Sequence, residues 1–192
     1  MKKFLIILLI IVGIVLLYGW ATYNKLVTRQ ENVTKAWSQV ENVYQRRADL
    51  VPNLVAVVKN YSEYEQGTLV AVTEARSKAA NATVHPDSFD DSEFANFESA
   101  QKDLDNALKR LIVSVENYPD LKANENYMNL QAELNGCENR IQTERERFNE
   151  AAKTYNESLR RFRSNLIAKM FGFEKRPYFE ADEGADKVPE TF

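Results

Sequence analysis

The sequence predicts an all-α protein, in which an N-terminal transmembrane helix is followed by an elongated antiparallel bundle of three long helices and a short fourth. Residues 4–20 contain no charged side chain. Farther along, apolar residues recur at steps of three and four, and no alternating strand pattern stands out. About 170 residues follow the apolar segment, which is enough for one domain with its own core.

The apolar segment, FLIILLIIVGIVLLYGW at 4–20, directly follows two lysines. As a helix it spans about 25 Å, slightly less than the ~30 Å hydrocarbon core of a bilayer. Tyr18 and Trp20 then lie at headgroup level. The alternative is a cleaved signal peptide, although its small-x-small site at 19–21 contains a tryptophan. We therefore expect a retained anchor. Basic residues flank both ends, so the side of the membrane that holds the bundle stays unresolved.

Composition argues against several classes of function. The formal net charge of −3 is unlike the basic footprint of a nucleic-acid binder. Cys137 is the single cysteine, so the chain has no internal disulfide and no cysteine-cluster metal site. His85 is the single histidine, which excludes a carboxylate-histidine di-iron site. Neither residue has the companions of a catalytic triad. The sequence therefore predicts no enzyme, catalytic residue, metal or cofactor.

The first helix of the bundle is predicted from Tyr23 to about Ala82 on the basis of one apolar stripe. Pro52 lies inside it, and proline removes a backbone N–H and disfavours helix at the preceding residue. Because the stripe keeps its phase across Pro52, we expect one kinked helix; the alternative is a break at 49–52. A static kink is expected. The functional alternative is a hinge at Pro52-Asn53, in which Asn53 bonds to the carbonyls that Pro52 leaves unpaired.

The remaining helices follow from turn signals and periodicity. Residues 81–92 are rich in helix breakers and are predicted to form the distal turn, with Asp90 or Ser92 capping a second helix. A short stop at 118–120 makes the third helix antiparallel to the second. That third helix is predicted from Leu121 to about Phe162. A short fourth helix is then predicted over residues 166–173, ended by Gly172.

The chain after residue 176 is acidic and carries three aromatic residues: Tyr178, Phe179 and Phe192. Acidic tails are usually solvated, but these aromatics make docking onto the bundle or a partner an equal alternative. The predicted boundaries are a flank at 1–3, a transmembrane helix at 4–20, a bundle at 21–176 and a tail at 177–192.

Four blocks of sequence resemble the LemA family of bacterial membrane-anchored proteins. They include YNKLV and the long run AWSQVENVYQRRADLVPNLVAVVKNYSEYE, and they occupy residues 23–27, 36–65, 116–156 and 164–181, followed by the ending at 188–192. Gly136-Cys137-Glu138 departs from the more frequent Thr-Glu pair, and Arg163 replaces a frequent proline. The resemblance implies a helical bundle behind one transmembrane helix, with no established activity or cofactor. It also implies a single-pass protein of the bacterial cytoplasmic membrane; some relatives take part in building internal membranes.

Arg47 is the most conspicuous polar residue of the first helix, because it falls on the apolar stripe between Tyr44 and Val51. A buried guanidinium needs hydrogen-bond acceptors, so a buried ion pair that sets helix register is expected. The candidate partners are Glu138, Glu144 and Asp49. The functional alternative is an anion or partner site built from Arg46 and Arg47 beside the Pro52 kink.

The most basic stretch contains Arg160, Arg161 and Arg163 around Phe162. A continuous first helix carries the distal turn about 90 Å away, and the third helix runs in that same direction. We therefore expect the basic stretch to lie far from the protein's own membrane and to pair with the acidic tail. Contact with anionic lipid headgroups is the alternative.

Taken together, these features predict a membrane-anchored scaffold or interaction protein of the bacterial envelope. The expected partners are the lipid bilayer through the N-terminal helix, other envelope membrane proteins and further copies of this chain, but no nucleic acid. The alternative is a self-assembling protein that organises or remodels membranes.

Overall fold

A computed structural model describes residues 2–61, 66–86 and 88–180. All regular structure in these ranges is helical, which confirms the predicted all-α class. The helices are α1 (Lys2–Lys59), α2 (Gln66–Asn81), α3 (Asp91–Val115), α4 (Pro119–Lys122), α5 (Glu125–Arg160) and α6 (Phe162–Met170).

Helix α1 runs without a break from Lys2 through Pro52 to Lys59, so the predicted continuity at the proline is confirmed. The predicted end near Ala82 is wrong, because the chain turns after Lys59 and α2 folds back along α1. Arg76 of α2 reaches the carbonyl of Ala48, which fixes α2 as antiparallel to α1. The sequence pattern missed this turn because both helices of the hairpin keep their apolar stripes in nearly the same phase.

This extra hairpin reverses the direction of every later helix. The chain leaves the N-terminal segment along α1, returns along α2, leaves again along α3 and returns along α5. The hydrogen bond from Arg29 to the backbone oxygen of Thr154 and the ion pair between Arg47 and Glu138 show that α1 and α5 are antiparallel. The C-terminal end of α5 therefore lies beside residues 18–26 of α1, where the apolar segment ends, and not at the distal end as predicted.

The helix ends follow the turn chemistry of the sequence. Asp90 caps α3, where its carboxylate accepts hydrogen bonds from the backbone N–H groups of Ser92 and Glu93 at 2.8 and 3.2 Å. The hydrogen bond from the Ser92 hydroxyl, followed by these two backbone bonds, lowers the pKa of Asp90. Asn124 caps α5 through the N–H of Tyr127. Gly172, with φ of 72°, follows α6 in the left-handed region that favours glycine.

The core divides into two clusters along the long axis. The aromatic cluster lies nearer the N-terminal segment and consists of Trp37, Phe89, Phe94, Phe97, Phe148 and Phe179, with ring centroids 4.9–6.1 Å apart in the contacting pairs. The aliphatic cluster lies distally and is centred on Leu54, Val72, Leu104, Leu111 and Leu121. Arg47 lies between Tyr44, which belongs with the first cluster, and Val51, which belongs with the second.

The backbone gap that Pro52 creates is closed by a side chain from α2. Proline has no N–H, so the carbonyl of Ala48, four residues earlier, loses its helical donor. Arg76 Nε donates to that oxygen at 2.7 Å. Asn53, which the sequence suggested for this role, is exposed on the outer side of α1. The proline therefore joins α1 to α2.

Replacement of Arg76 by methionine is expected to lower the free energy of unfolding by about 1–3 kcal/mol, because the Ala48 carbonyl loses its donor. In a Pro52→Ala background the residue at 52 regains an N–H, which can bond to the Ala48 carbonyl. Replacement of Arg76 should then lower the free energy of unfolding by less. Chemical denaturation of the two single variants and the double variant measures this coupling. Lys78→Met, at an exposed position of the same helix, is the control. Equal costs of Arg76→Met in both backgrounds would contradict this account of the proline.

Candidate functional site

The polar centre of the bundle is the guanidinium of Arg47, whose side chain is only 3% exposed. Nη1 donates to Glu138 Oε1 at 2.7 Å. Nη2 donates to the backbone oxygen and to the Oε1 of Gln101, at 3.1 and 2.9 Å. The guanidinium also lies over the ring of Tyr44, 5.1 Å from its centroid. Arg47 thus joins α1 to α3 and α5.

Gln101 extends this network to a fourth helix. Its Nε2 donates to the carbonyl of Ala79 at 3.2 Å, and that carbonyl lies in the last turn of α2, where helical donors are missing. Gln101 is 7% exposed. Sequence analysis assigned it no role. The signal that could have found it is that Gln101 is a polar residue on the apolar stripe of its helix, three residues before Leu104.

The other predicted partners of Arg47 are engaged elsewhere. Glu144 pairs with Arg147 at 2.7 Å, and Asp49 accepts a hydrogen bond from Gln45 at 2.9 Å. Arg46, Asp49 and Asn53 point outward on one exposed face of α1, whereas Arg47 points inward. The four residues therefore do not converge on one pocket. Arg46 makes only a long, exposed pair with Glu133, at 3.7 Å.

A cavity of about 290 Å³ opens beside Arg47, between α3 and α5. Two ion pairs lie along its wall, Arg47 with Glu138 and Arg145 with Glu98 at 3.6 Å. Burial raises the pKa of the Tyr44 hydroxyl there, partly opposed by the nearby charges of Arg145 and Arg47. The charged groups of this cavity thus face one another, an arrangement typical of structural pairing. In the described ranges no group of three or more His, Cys, Asp or Glu side chains is placed to hold a metal ion.

The described part of the C-terminal tail is docked on α5 by two asparagines. Asn156 exchanges two hydrogen bonds with the backbone of Arg176, at 2.8 and 2.9 Å. Asn149 does the same with the backbone of Phe179, at 2.9 Å each. Seven helical residues rise about 10.5 Å, and three extended residues span about 10 Å, so the two spacings match. The tail therefore runs antiparallel to α5.

Side chains of the tail complete the core. Phe179 is 6% exposed and enters the aromatic cluster, with the guanidinium of Arg145 4.6 Å from its ring centroid. Arg176 is 4% exposed, lies over the ring of Phe89 at 4.9 Å and donates to the backbone oxygen of Ser88 at 2.9 Å. Tyr178 stays exposed. Of the two open alternatives for this segment, docking onto the bundle holds for residues 176–180, while Phe192 lies outside the described residues.

The basic stretch is not where the sequence predicted it. Arg161 and Arg163 line a cleft with Tyr18 and Lys25 of α1, close to the apolar N-terminal segment. The expectation of a remote position was wrong because it counted three long helices, whereas four bring the end of α5 back. The described part of the tail, up to Glu180, also leads away from this stretch, since Arg145 Nη2 donates to the backbone oxygen of Glu180 at 3.0 Å.

Residues 4–20 protrude from the bundle as the exposed first part of α1. This helix is long and apolar enough to cross a membrane, and none of its most apolar window is buried. It is therefore a candidate membrane anchor. The buried part of the same helix begins at Leu26.

Comparison with known proteins agrees with this architecture. The family model described as "LemA family" matches residues 36–191. The chain belongs to the LemA family. Magnetosome protein MamQ 2 of Paramagnetospirillum magneticum is 28% identical over 181 residues, covering 85% of this chain and 66% of that protein. Magnetosome protein MamQ of Magnetospirillum gryphiswaldense is 26% identical over the same length. Protein LemA of Metamycoplasma hominis is 26% identical over 184 residues, covering 95% of this chain and 80% of that protein. This LemA-family chain thus spans about two thirds of the MamQ relatives it matches.

Replacement of Glu138 by leucine is expected to destabilise the bundle by about 2 kcal/mol, because it leaves the Arg47 charge buried with only neutral acceptors. Adding Arg47→Met removes that charge, so the double variant should be more stable than Glu138→Leu alone. Urea denaturation gives the three values. Glu133→Leu, which breaks the exposed pair with Arg46, is the control and should change stability by less than about 1 kcal/mol. A double variant that is less stable than Glu138→Leu alone would show that the loss of stability does not come from burying an unpaired charge.

Replacement of Asn149 and Asn156 by alanine is expected to release the tail, because four hydrogen bonds to its backbone are lost. Amide hydrogen exchange at residues 174–180 should accelerate by roughly an order of magnitude or more per asparagine, at about 1–2 kcal/mol each. Exchange in α2 should stay unchanged. Asn135→Ala, at an exposed site on the same helix, is the matched control. Unchanged exchange in the double variant would mean that the aromatic contacts alone hold the tail.

Proposed function

We propose that this protein is a non-catalytic scaffold of the bacterial cell envelope, anchored in the cytoplasmic membrane by residues 4–20. Its action is positional: the anchor confines a long helical bundle to the membrane, and the bundle binds other envelope membrane proteins or further copies of this chain. The side of the membrane on which the bundle lies is left open by this proposal.

The observation that carries the proposal is the continuity of α1. One helix contains both the exposed apolar segment and the buried residues Val33, Trp37 and Val40 of the core. A continuous helix of 58 residues is about 87 Å long. Because no loop separates anchor from bundle, movement of the bundle relative to the anchor requires bending of the helix itself. Such a rigid connection suits a protein that holds partners at a set distance from the bilayer.

Retention of the anchor is supported by its contacts with α6. A Cβ at Gly19 would lie 3.8 Å from Ile167 Cδ1, and the ring of Tyr23 lies 4.8 Å from that of Phe171. The cleavage-like site at residues 19–21 is therefore within the segment that packs against α6. Cleavage there would remove one side of this contact, so a retained anchor agrees better with the packing.

The non-catalytic part of the proposal is supported by the way that the polar groups are used. Both terminal nitrogens of Arg47 bond to Glu138 and Gln101, and Gln101 bonds in turn to the carbonyl of Ala79, so these polar groups connect helices. Cys137 is buried, where a thiol is a poor nucleophile. These arrangements stabilise the bundle and do not activate a reacting group.

A self-assembling, membrane-organising role is the second candidate. It is favoured by the relatives named as magnetosome proteins, which match over most of this chain. The exposed face of α1 with Arg46, Asp49 and Asn53 is the proposed site for a second copy or another partner, because its side chains are mostly unused by the bundle.

Light scattering of the detergent-solubilised full-length protein beside residues 21–192 tests both candidates. The shorter chain keeps every core residue, since burial begins at Leu26. A large, discrete assembly of the full-length protein is expected if the chain builds the scaffold from itself, and Arg46→Glu with Asp49→Lys should then reduce its mass. A monomer in both forms would refute self-assembly and leave a scaffold for other membrane proteins.

A further inference from the structure

Helix α6 lies against α1 at the level where the apolar segment ends. Ile167 faces Gly19, and the ring centroids of Phe171 and Phe173 are 4.8 and 5.6 Å from that of Tyr23. If residues 4–20 cross a bilayer, these contacts lie within about one helical turn of its headgroup region.

The outer face of α6 carries an exposed row of large apolar side chains. Phe162, Leu166 and Met170 are 97%, 73% and 65% exposed, and their spacing of four places them on one side of the helix. Phe171, next in the chain, is 56% exposed. Ala168, on the side toward α1, is buried. An α-helix of nine residues thus packs one side on the protein and presents an apolar side outward.

The residues around this row are strongly basic. Between 158 and 175 the chain has five basic residues, Arg160, Arg161, Arg163, Lys169 and Lys175, against one acidic residue, Glu174, although the whole protein has a net charge of −3. None of the ion pairs found in the described ranges involves the three arginines. Exposed apolar residues flanked in the chain by basic residues are the pattern of a segment that lies in an anionic membrane surface.

We propose that α6 and its flanking arginines bind the anionic headgroup region of the same bilayer that holds residues 4–20. This rests on the membrane anchoring of the proposed function. The apolar row enters the boundary between headgroups and acyl chains, and the arginines contact lipid phosphates. The bilayer is the occupant because α6 lies against the end of the anchor, through Ile167 at Gly19 and Phe171 at Tyr23, and because the charge of the flanking arginines is opposite to that of anionic lipid.

Two contacts with one membrane would restrict the rotation and tilt of the bundle, which a single anchor does not. A lone helix leaves the bundle free to rotate about the anchor axis and to tilt with it. A second contact at the side of α1 fixes both, because α6 is joined to the bundle through Arg161 and through the docked residues 176–179. The face of α1 that meets partners would then have a defined direction relative to the bilayer.

Depth-dependent quenching of a single fluorescent label tests the contact. Full-length protein with Cys137→Ala carries a cysteine for labelling in place of Leu166, Leu9 or Val113. Leu9 reports the anchor, and Val113, 68% exposed near the distal end of α3, is the matched apolar control. Each protein is reconstituted into vesicles of phosphatidylcholine with phosphatidylglycerol, in which the quencher is attached to the lipid.

We expect the labels at 9 and 166 to be quenched and the label at 113 to remain bright. Replacement of Arg160, Arg161 and Arg163 by glutamate should weaken quenching at 166 but not at 9, since each basic residue near an anionic surface accounts for about a fivefold change in binding. The same charge changes at Lys59, Lys78 and Arg110, which are exposed on α1, α2 and α3 away from the anchor, should have no effect. High salt, or vesicles of phosphatidylcholine alone, should likewise weaken quenching at 166 but not at 9 in the protein that keeps its arginines. Because these conditions change no residue, the same result would show that the arginine changes act on lipid binding and not on folding.

If the label at 9 is quenched but the label at 166 stays as bright as the label at 113, the proposed contact of α6 is wrong and membrane anchoring still holds. A bright label at 9 would overturn both the anchor and the contact. Quenching at 166 that ignores salt, lipid charge and the arginine changes would show that anionic headgroups are not what α6 binds.

Discussion

The bundle depends on one buried guanidinium. Arg47 lies where the aromatic cluster ends and the aliphatic cluster begins, and through Glu138 and Gln101 it connects α1 to α3, α5 and the end of α2. Apolar contacts are non-directional and tolerate small sliding of one helix past another. A desolvated charge with acceptors at fixed positions does not, because any slip leaves it unpaired at a large cost. Arg47 therefore sets the register in which the two apolar clusters form together.

Direction within the fold depends on the number of long helices. With α2 as a separate antiparallel helix, the chain crosses the bundle an even number of times, so α5 ends beside residues 18–26 of α1. Pro52 contributes to this hairpin, because the carbonyl it leaves free on Ala48 is the acceptor for Arg76 of α2. The position of the basic stretch relative to the apolar anchor is thus a consequence of a turn about one hundred residues earlier in the chain.

The tail is an integral part of the core up to Phe179. Helices α2 and α3 cover α1 and α5 only in the distal part of the bundle. Nearer the anchor, beyond the end of α2 and the beginning of α3, the extended chain at 176–180 covers α5 instead. Asn149 and Asn156 satisfy its backbone, which has no helical or strand partners of its own. Phe179 then covers Trp37 and Phe148. Docking of the tail and formation of the aromatic cluster are therefore coupled.

The sequence by itself determined the helical class, the apolar segment at 4–20, the continuity of α1 through Pro52 and the burial of Arg47, because each follows from local composition or from the 3.6-residue period. Glu138 was one of three candidate partners of Arg47 in the sequence, beside Glu144 and Asp49, and the structure decided between them. Only the tertiary structure decided the turn after Lys59, the roles of Gln101, Arg76, Asn149 and Asn156, and the return of α6 to the anchor. Periodicity reports which side of a helix is buried but not against what. Two helices joined in phase look like one, and a single missed turn reverses the direction of everything after it.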